Sequence, residues 1–426
     1  MSRLLLAALA ALAFAPTAGP AAEFPLRDGR RVAFLGDSIT QAGVYIQDID
    51  AYLLTRFPDR KVELINLGLS SETVSGMTEP GHPYPRPDVR ERLGRALDLA
   101  RPDLVVVCYG MNDGIYHPPG EGRTAAYRKG IEEVVDRARK DGAEVVLGTP
   151  PPFDPRPVAP RLRPIGQAEY GFQHPFADYD GVLAGYGDWL LAKRADGWSV
   201  VDVHAEVARF VSLIRESDPG FTLARDGVHP DATGHWLIAQ AYLKAWDAPA
   251  EVDSAVIDAR TSKATAGAIE GIVREGGSLA FAWTTRIPMP HDPGWDPRLV
   301  ARGGVDERFN RHRLVVDGLD RPRYAIFEGD RKVGEVTPEQ LAAGLDLLGL
   351  PGLSTNRRAA ELWPVAAERQ RILGAAWLQE VGHAAPVFPK GPTLDEARKR
   401  SAVLERRIRE LAKPVPIRFR LEPLVG

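Results

Sequence analysis

The chain has 426 residues, 44% of them hydrophobic and 26% charged, with a formal net charge of -3. That is ordinary globular composition, and the length exceeds one typical domain of roughly 100–200 residues, so two domains are expected. No long basic run is present, which excludes nucleic acid as the main partner, because that footprint needs clustered Lys and Arg.

The chain begins with one positive charge at Arg3, an apolar block from Leu4 to Phe14, and small residues at Ala18, Gly19, Ala21 and Ala22. This three-part pattern predicts a secretory signal peptide over residues 1–22, hence a secreted or periplasmic protein. The apolar block is too short to span a bilayer, and no other segment reaches the roughly 18 apolar residues of a membrane span.

Val32 to Leu35 reads as a buried strand of a parallel sheet, apolar without alternation and cut off by Gly36. Val44 to Phe57 carries Ile46, Ile49, Leu53 and Leu54 at helical spacing, and Val62 to Leu67, ending in Gly68, repeats the strand-then-glycine pattern. A helix follows over Pro87 to Ala100, a third strand over Leu104 to Tyr109, and a polar exit at Gly110-Met111-Asn112-Asp113. The only cysteine, Cys108, lies in that strand, which excludes an intrachain disulfide and makes it a buried structural thiol. Arg123 to Lys140 is helical, Glu144 to Thr149 is the fourth strand, Ser199 to Val203 the fifth, and Asp231 to Trp246 a further helix. Alternating strands and helices predict a parallel sheet covered on both faces.

Three loops leaving the strand ends are long and rich in Pro and Gly: Met77 to Pro87, Gly114 to Gly122 and Pro150 to Gly171. Their aromatic residues make them the expected pocket walls, with Tyr84, Tyr116, His117 and Phe153 as candidate substrate-binding residues. Near Asp247-Ala248-Pro249 the pattern changes, which divides the chain into a first domain over 23–250 and a C-terminal α+β extension over 251–426. In the extension, β-like runs occur at Ser278 to Trp283, Leu314 to Val316, Tyr324 to Phe327, Val333 to Val336 and Ile417 to Leu421. Thr393 to Leu411 is a charged helix with one apolar stripe, expected to pack on its own domain. No catalytic motif is found there.

Gly36-Asp37-Ser38 alone is a common turn composition. Its weight comes from Asp226-Gly227-Val228-His229-Pro230 late in the first domain. A carboxylate three residues before a histidine can reach its imidazole from the same turn. Ser38 needs a base to take its proton, and His229 needs an acceptor on its other nitrogen, which Asp226 can provide. The order Ser, Asp, His matches the α/β-hydrolases, yet no Gly-x-Ser-x-Gly occurs in the chain, so that route is excluded. A metal site recruiting Asp226, His229, Asp231 and His235 is disfavoured because no paired-ligand motif is present. His204 and His235 read as packed or surface histidines, and Asp37 as a residue that holds the turn by hydrogen bonds.

Four separated blocks, Gly36 to Thr40, Asn66 with Gly68, Gly110 to Asp113, and Asp226 to Pro230, together resemble the SGNH or GDSL hydrolases, in that family's order and at strand ends. The resemblance covers roughly residues 31 to 247 and implies a three-layer, flavodoxin-like α/β/α sandwich with a five-stranded parallel sheet. It further implies that Ser38 is the nucleophile, His229 the base and Asp226 its orienting carboxylate. The Ser38 and Gly68 backbone amides and the Asn112 side-chain amide would then form an oxyanion hole. A serine esterase of this kind needs no cofactor and no metal. The export signal and aromatic loops point to acetyl groups on extracellular carbohydrate as the substrate. The alternatives are a lysophospholipase, thioesterase or broad short-chain esterase and, from another class, a non-catalytic glycan-binding protein on the same scaffold.

Overall fold

The computed structural model describes residues 24–383 and 390–424, so the expected signal peptide lies outside the described residues. The first half is built on β1 (Arg31–Gly36), α1 (Ser38–Ala42), α2 (Val44–Arg56), β2 (Glu63–Asn66), α3 (Leu93–Ala100) and β3 (Leu104–Cys108). It continues with α4 (Glu121–Lys140), β4 (Glu144–Gly148), α5 (Tyr179–Ala192), β5 (Ser199–Val201), α6 (Val203–Arg215) and α7 (Ala232–Ala245). The five strands form one sheet in the order β2-β1-β3-β4-β5, with every neighbouring pair parallel. β3 is buried along its whole length, as a central strand covered on both faces must be. Helices α2, α6 and α7 pack together in one layer. In the other layer α3 packs on α4, and Tyr127 of α4 stacks on Tyr186 of α5 with ring centroids 4.1 Å apart. This is the flavodoxin-like strand order, whose crevice lies beyond the carboxyl ends of the strands.

The fifth strand is shorter than the sequence pattern predicts. It stops at Val201 because the Asp202 side chain accepts from the Ala205 N–H and starts α6 at Val203. Such capping converts an apolar run that reads as strand into the first turn of a helix.

The second half begins with β6 (Glu251–Asp258), β7 (Lys263–Ala266), β8 (Ala268–Glu275) and β9 (Ser278–Thr285). After α8 (Pro297–Gly303) and α9 (Val305–Phe309) come β10 (Arg311–Asp317), β11 (Tyr324–Glu328), β12 (Arg331–Val336), α10 (Pro338–Ala343) and β13 (Leu345–Asp346). The chain closes with α11 (Ser354–Val381), α12 (Leu394–Ala412) and β14 (Val415–Pro423). Two sheets, β13-β10-β6-β7 and β12-β11-β14-β9-β8, enclose a second core that includes Ile257, Trp283, Leu314, Ile326 and Phe419. All five β-like runs of the sequence are strands here, and Thr393 caps α12 in a reciprocal capping box with Glu396.

The second half also completes the first core. Trp295, Leu299, Phe309, Ile372 and Trp377 are buried in the same cluster as the parallel sheet. Trp295 sits 4.7 Å from Trp236 of α7, ring centre to ring centre. Arg369 and Gln370 of α11 both donate to Asp50 of α2, at 2.8 and 2.7 Å.

Candidate active site

Ser38 is placed by a turn that admits only glycine at its start. A Cβ on Gly36 would stand 2.1 Å from Thr40 Oγ1 and 2.7 Å from the Cys108 carbonyl oxygen, so β1 can enter α1 this tightly only with hydrogen there. Asp37 caps α1, its Oδ1 accepting from the Ile39 N–H at 2.9 Å, which leaves Ser38 as the first helical residue. Burial pushes the Asp37 carboxyl up to about 6.

The opposite wall is the turn before α7. Gly227 has φ +84° and its carbonyl accepts from the Asp154 N–H at 2.9 Å, while Asp231 caps α7 through the Gly234 N–H. Asp226 Oδ1 accepts from the Val228 and His229 N–H groups at 2.9 and 2.8 Å. Its other oxygen, Oδ2, lies 2.6 Å from His229 Nδ1, and His229 Nε2 lies 2.8 Å from Ser38 Oγ. The structure thus brings Ser38, His229 and Asp226 into one hydrogen-bonded line across 191 residues of sequence. Chiefly through its hydrogen bond with Asp226, the imidazole is shifted above its ordinary 6.5. Burial works to raise the Asp226 carboxyl, but the hydrogen bonds from His229 and the backbone outweigh it and hold the group below the usual carboxylate range. Both side chains are about half exposed, so the line faces an open crevice.

Asn112 and Gly68 stand at the two strand ends flanking β1. Asn112 is 4% exposed; its Nδ2 donates to the Glu72 carbonyl at 3.2 Å and its Oδ1 accepts from Arg86 Nη1 at 2.9 Å. Asp113 beside it accepts from the Val74 and Ser75 N–H groups, both at 2.8 Å, tying this turn to the loop after β2. A Cβ on Gly68 would meet the Gln41 nitrogen at 2.1 Å, so its backbone lies against the Ser38 helix. The Gly68 N–H, however, donates to Asn66 Oδ1 at 2.8 Å, so that amide reaches an oxyanion only by sharing or releasing this bond.

The four aromatic candidates divide. Tyr84 is half-buried, with its hydroxyl 3.3 Å from Ser71 Oγ, and His117, also half-buried, is turned back on the Ile115 carbonyl at 2.7 Å. Tyr116 and Phe153, expected as pocket walls, are instead 3% and 2% exposed. Tyr116 stacks on Tyr179 at 4.8 Å and Phe153 packs edge-on against the same ring at 5.7 Å. Long proline-rich loops hold their shape by burying such rings beneath them, so an aromatic residue in a loop need not face the ligand. Phe153 still borders a cavity of about 220 Å³ behind the turn before α7, with Val207, Val211, Val228 and Ile238.

Other candidates are structural in position. His235 is 4% exposed, its ring 6.2 Å from that of Tyr45, and burial pushes it down to about 3. His204 bonds Asp180 at 3.2 Å, and buried Cys108 is pushed up to about 12 by desolvation. Among the described residues no group of three or more His, Cys, Asp or Glu is placed to hold a metal ion. Sequence reasoning missed Glu72, Glu79, Arg86 and Arg92, which form two buried ion pairs around Asn112.

Residues 34–237 match the model of the GDSL-like lipase/acylhydrolase family. This half of the chain belongs to that family. As a GDSL-like acylhydrolase the protein is a carboxylic ester hydrolase. Among solved structures it is similar to a gut microbial diltiazem-metabolizing enzyme, with 21% identity and a TM-score of 0.76 over 95% of this chain and 100% of that one. That likeness extends the shared fold into the second half. It is also similar to an acetylxylan esterase from Geobacillus stearothermophilus, with 21% identity and a TM-score of 0.38 over 52% of this chain and 95% of that one. No curated protein matches the chain.

For a GDSL-like hydrolase the arrangement has a direct chemical use. Neutral His229 can accept the Ser38 proton as Oγ attacks an ester carbonyl, and Asp226 fixes the tautomer that leaves Nε2 free to do so. The first-turn amides of α1 have no partner inside that helix, which leaves the Ser38 N–H for the oxygen that becomes negative.

Proposed function

We propose that the protein is an exported serine esterase that removes acetyl groups from extracellular carbohydrate through an acyl-enzyme on Ser38. In the first half-reaction Oγ bonds to the acyl carbon, its proton passes to His229 Nε2, and the imidazolium returns that proton to the departing sugar oxygen. Water then attacks the acyl-enzyme with His229 again as base, releasing acetate and restoring Ser38. The Ser38 amide and Asn112 Nδ2 stabilise the oxyanion, joined by the Gly68 amide when it parts from Asn66. The observation that carries this role is the 2.8 Å contact of His229 Nε2 with Ser38 Oγ, backed by Asp226 at 2.6 Å.

Support for carbohydrate comes from the half-exposed triad, which accommodates a bulky leaving group, and from Tyr84 on the adjoining loop. Support for export comes from the pattern of residues 1–22. A second reading, a lysophospholipase or broad short-chain esterase, is favoured by the cavity of about 220 Å³ behind the turn before α7. Its aliphatic side, Val207, Val211, Val228 and Ile238, could hold an acyl chain, although Asp154, Asp180 and Arg215 also line it. Hydrolysis of nitrophenyl esters from acetate to palmitate, beside Ser38→Ala, separates the two. Activity confined to the shortest chains and lost in the variant supports the deacetylase. A maximum at long chains moves the substrate to lipids, and turnover that survives Ser38→Ala overturns the mechanism.

A further inference from the structure

We propose that Arg86 is a positioning residue for ester hydrolysis: its buried guanidinium locks the Asn112 carboxamide with the amine facing the reacting oxygen. The inference rests on the oxyanion role of Asn112 proposed above. Arg86 lies between Pro85 and Pro87 in the loop after Met77, and its side chain is 2% exposed. Nε and Nη2 fork onto Glu79 at 2.6 and 2.7 Å, while Nη1 donates to Asn112 Oδ1 at 2.9 Å. Burying a guanidinium is costly unless its donors are satisfied, and here one donor is directed at a neutral side chain.

The consequence follows from the donor inventory. A guanidinium carries only donors, so the Asn112 atom that meets it must be the carbonyl oxygen. Nδ2 therefore faces the other way. One of its hydrogens reaches the Glu72 carbonyl at 3.2 Å, and the second remains for a ligand oxygen. A flipped amide would set Nδ2 against the guanidinium and aim Oδ1 lone pairs at a developing negative charge, two repulsions at once. The positive charge of the Arg86 guanidinium beside Oδ1 also polarises the carboxamide and strengthens its remaining N–H as a donor. Around this contact the frame is already set. Arg86 N–H donates to Thr78 Oγ1 at 2.8 Å, the Phe172 N–H donates to Glu79 at 3.3 Å, and Arg92 holds Glu72 through 2.5 and 2.6 Å contacts. Although burial opposes it, the Arg86 fork holds the Glu79 carboxyl below its usual range, so the pair stays ionised.

The test is a kinetic double-mutant cycle with the full chain on nitrophenyl acetate: wild type, Arg86→Lys, Asn112→Ala and the double variant. Lysine offers a point charge that cannot hold both the Glu79 fork and Asn112. The expected result for Arg86→Lys is a fall of about tenfold or more in kcat, with KM changed less than about threefold and the acid limb of the pH profile unmoved. In the Asn112→Ala background the same substitution should cost less than about twofold. A wild-type kcat in Arg86→Lys, or a loss that persists undiminished without the Asn112 amide, overturns the proposal while leaving the oxyanion assignment intact. An unchanged kcat in Asn112→Ala alone overturns that assignment and the role of Arg86 with it. Should Arg86→Lys fail to fold, Glu79→Gln with Arg86→Gln removes both charges together, leaves neither unpaired, and is read by the same criteria.

Discussion

Asp226→Asn isolates what the carboxylate does for His229. Both partners of Oδ1 are N–H donors, from Val228 at 2.9 Å and His229 at 2.8 Å. An asparagine must therefore turn its carbonyl to them and its amine to His229 Nδ1. Nδ1 then has to accept, the imidazole proton moves to Nε2, and the atom 2.8 Å from Ser38 Oγ can no longer take a proton. Recovering the working tautomer means giving up both backbone hydrogen bonds. At about 1–3 kcal/mol for each donor left facing the amine without an acceptor, that is about 2–6 kcal/mol. With the Asp226 side chain 53% exposed, solvent offsets part of the loss and favours the lower end. At 1.36 kcal/mol per decade the lower part of that range, about 2–4 kcal/mol, gives an expected fall in kcat of about 30- to 1000-fold. The assay is nitrophenyl acetate hydrolysis, with thermal unfolding alongside to establish that the variant is folded. A folded variant within about fivefold of wild type would refute the tautomer argument.

Three further experiments test the base, the core and the junction between the halves. His229 must be neutral to act as base and is shifted above 6.5 by Asp226, so kcat/KM should rise with pH through a midpoint above 6.5 and be lost as pH falls through it; a pH profile with a midpoint at or below 6.5 would contradict this. Trp377, 1% exposed where α11 meets the first core, should cost about 3–5 kcal/mol in urea unfolding when changed to Ala. The segment around 247–252 should resist limited proteolysis, because Tyr52 donates to the Pro249 carbonyl at 2.7 Å and Val252 is fully buried, whereas ready cleavage there would mean loosely joined halves.

The parallel sheet was legible because its strands carry short apolar runs that end in a glycine or a polar turn, as in Val32 to Gly36, the weakest being Leu64-Ile65 between Glu63 and Asn66 in β2. The hydrogen-bonded line of Ser38, His229 and Asp226 was legible because Asp226 and His229 share one turn, so that only Ser38 had to be supplied by the fold. β8 escaped notice because Glu270, Gly271 and Arg274 are among its residues and most of its side chains are exposed, which leaves little apolar alternation to read. Arg86 and Glu79 were hidden for another reason. Charged residues in a proline-rich loop ordinarily mark a solvated surface, and only the tertiary fold turns them inward as a pair. Likewise, nothing in the order of residues distinguishes Tyr116 and Phe153, which support their loops from below, from Tyr84, which is half-buried. The occupied Gly68 amide depends on the Asn66 rotamer, which sequence does not specify.

The central claim is that Ser38 is a nucleophile activated by His229, and covalent labelling with a fluorophosphonate tests it without knowledge of the natural ester. Peptide mapping of the wild-type protein should place the label on Ser38, and labelling should fall below detection in folded His229→Ala. Label on another residue, or equal labelling of Ser38 without His229, would contradict the claim.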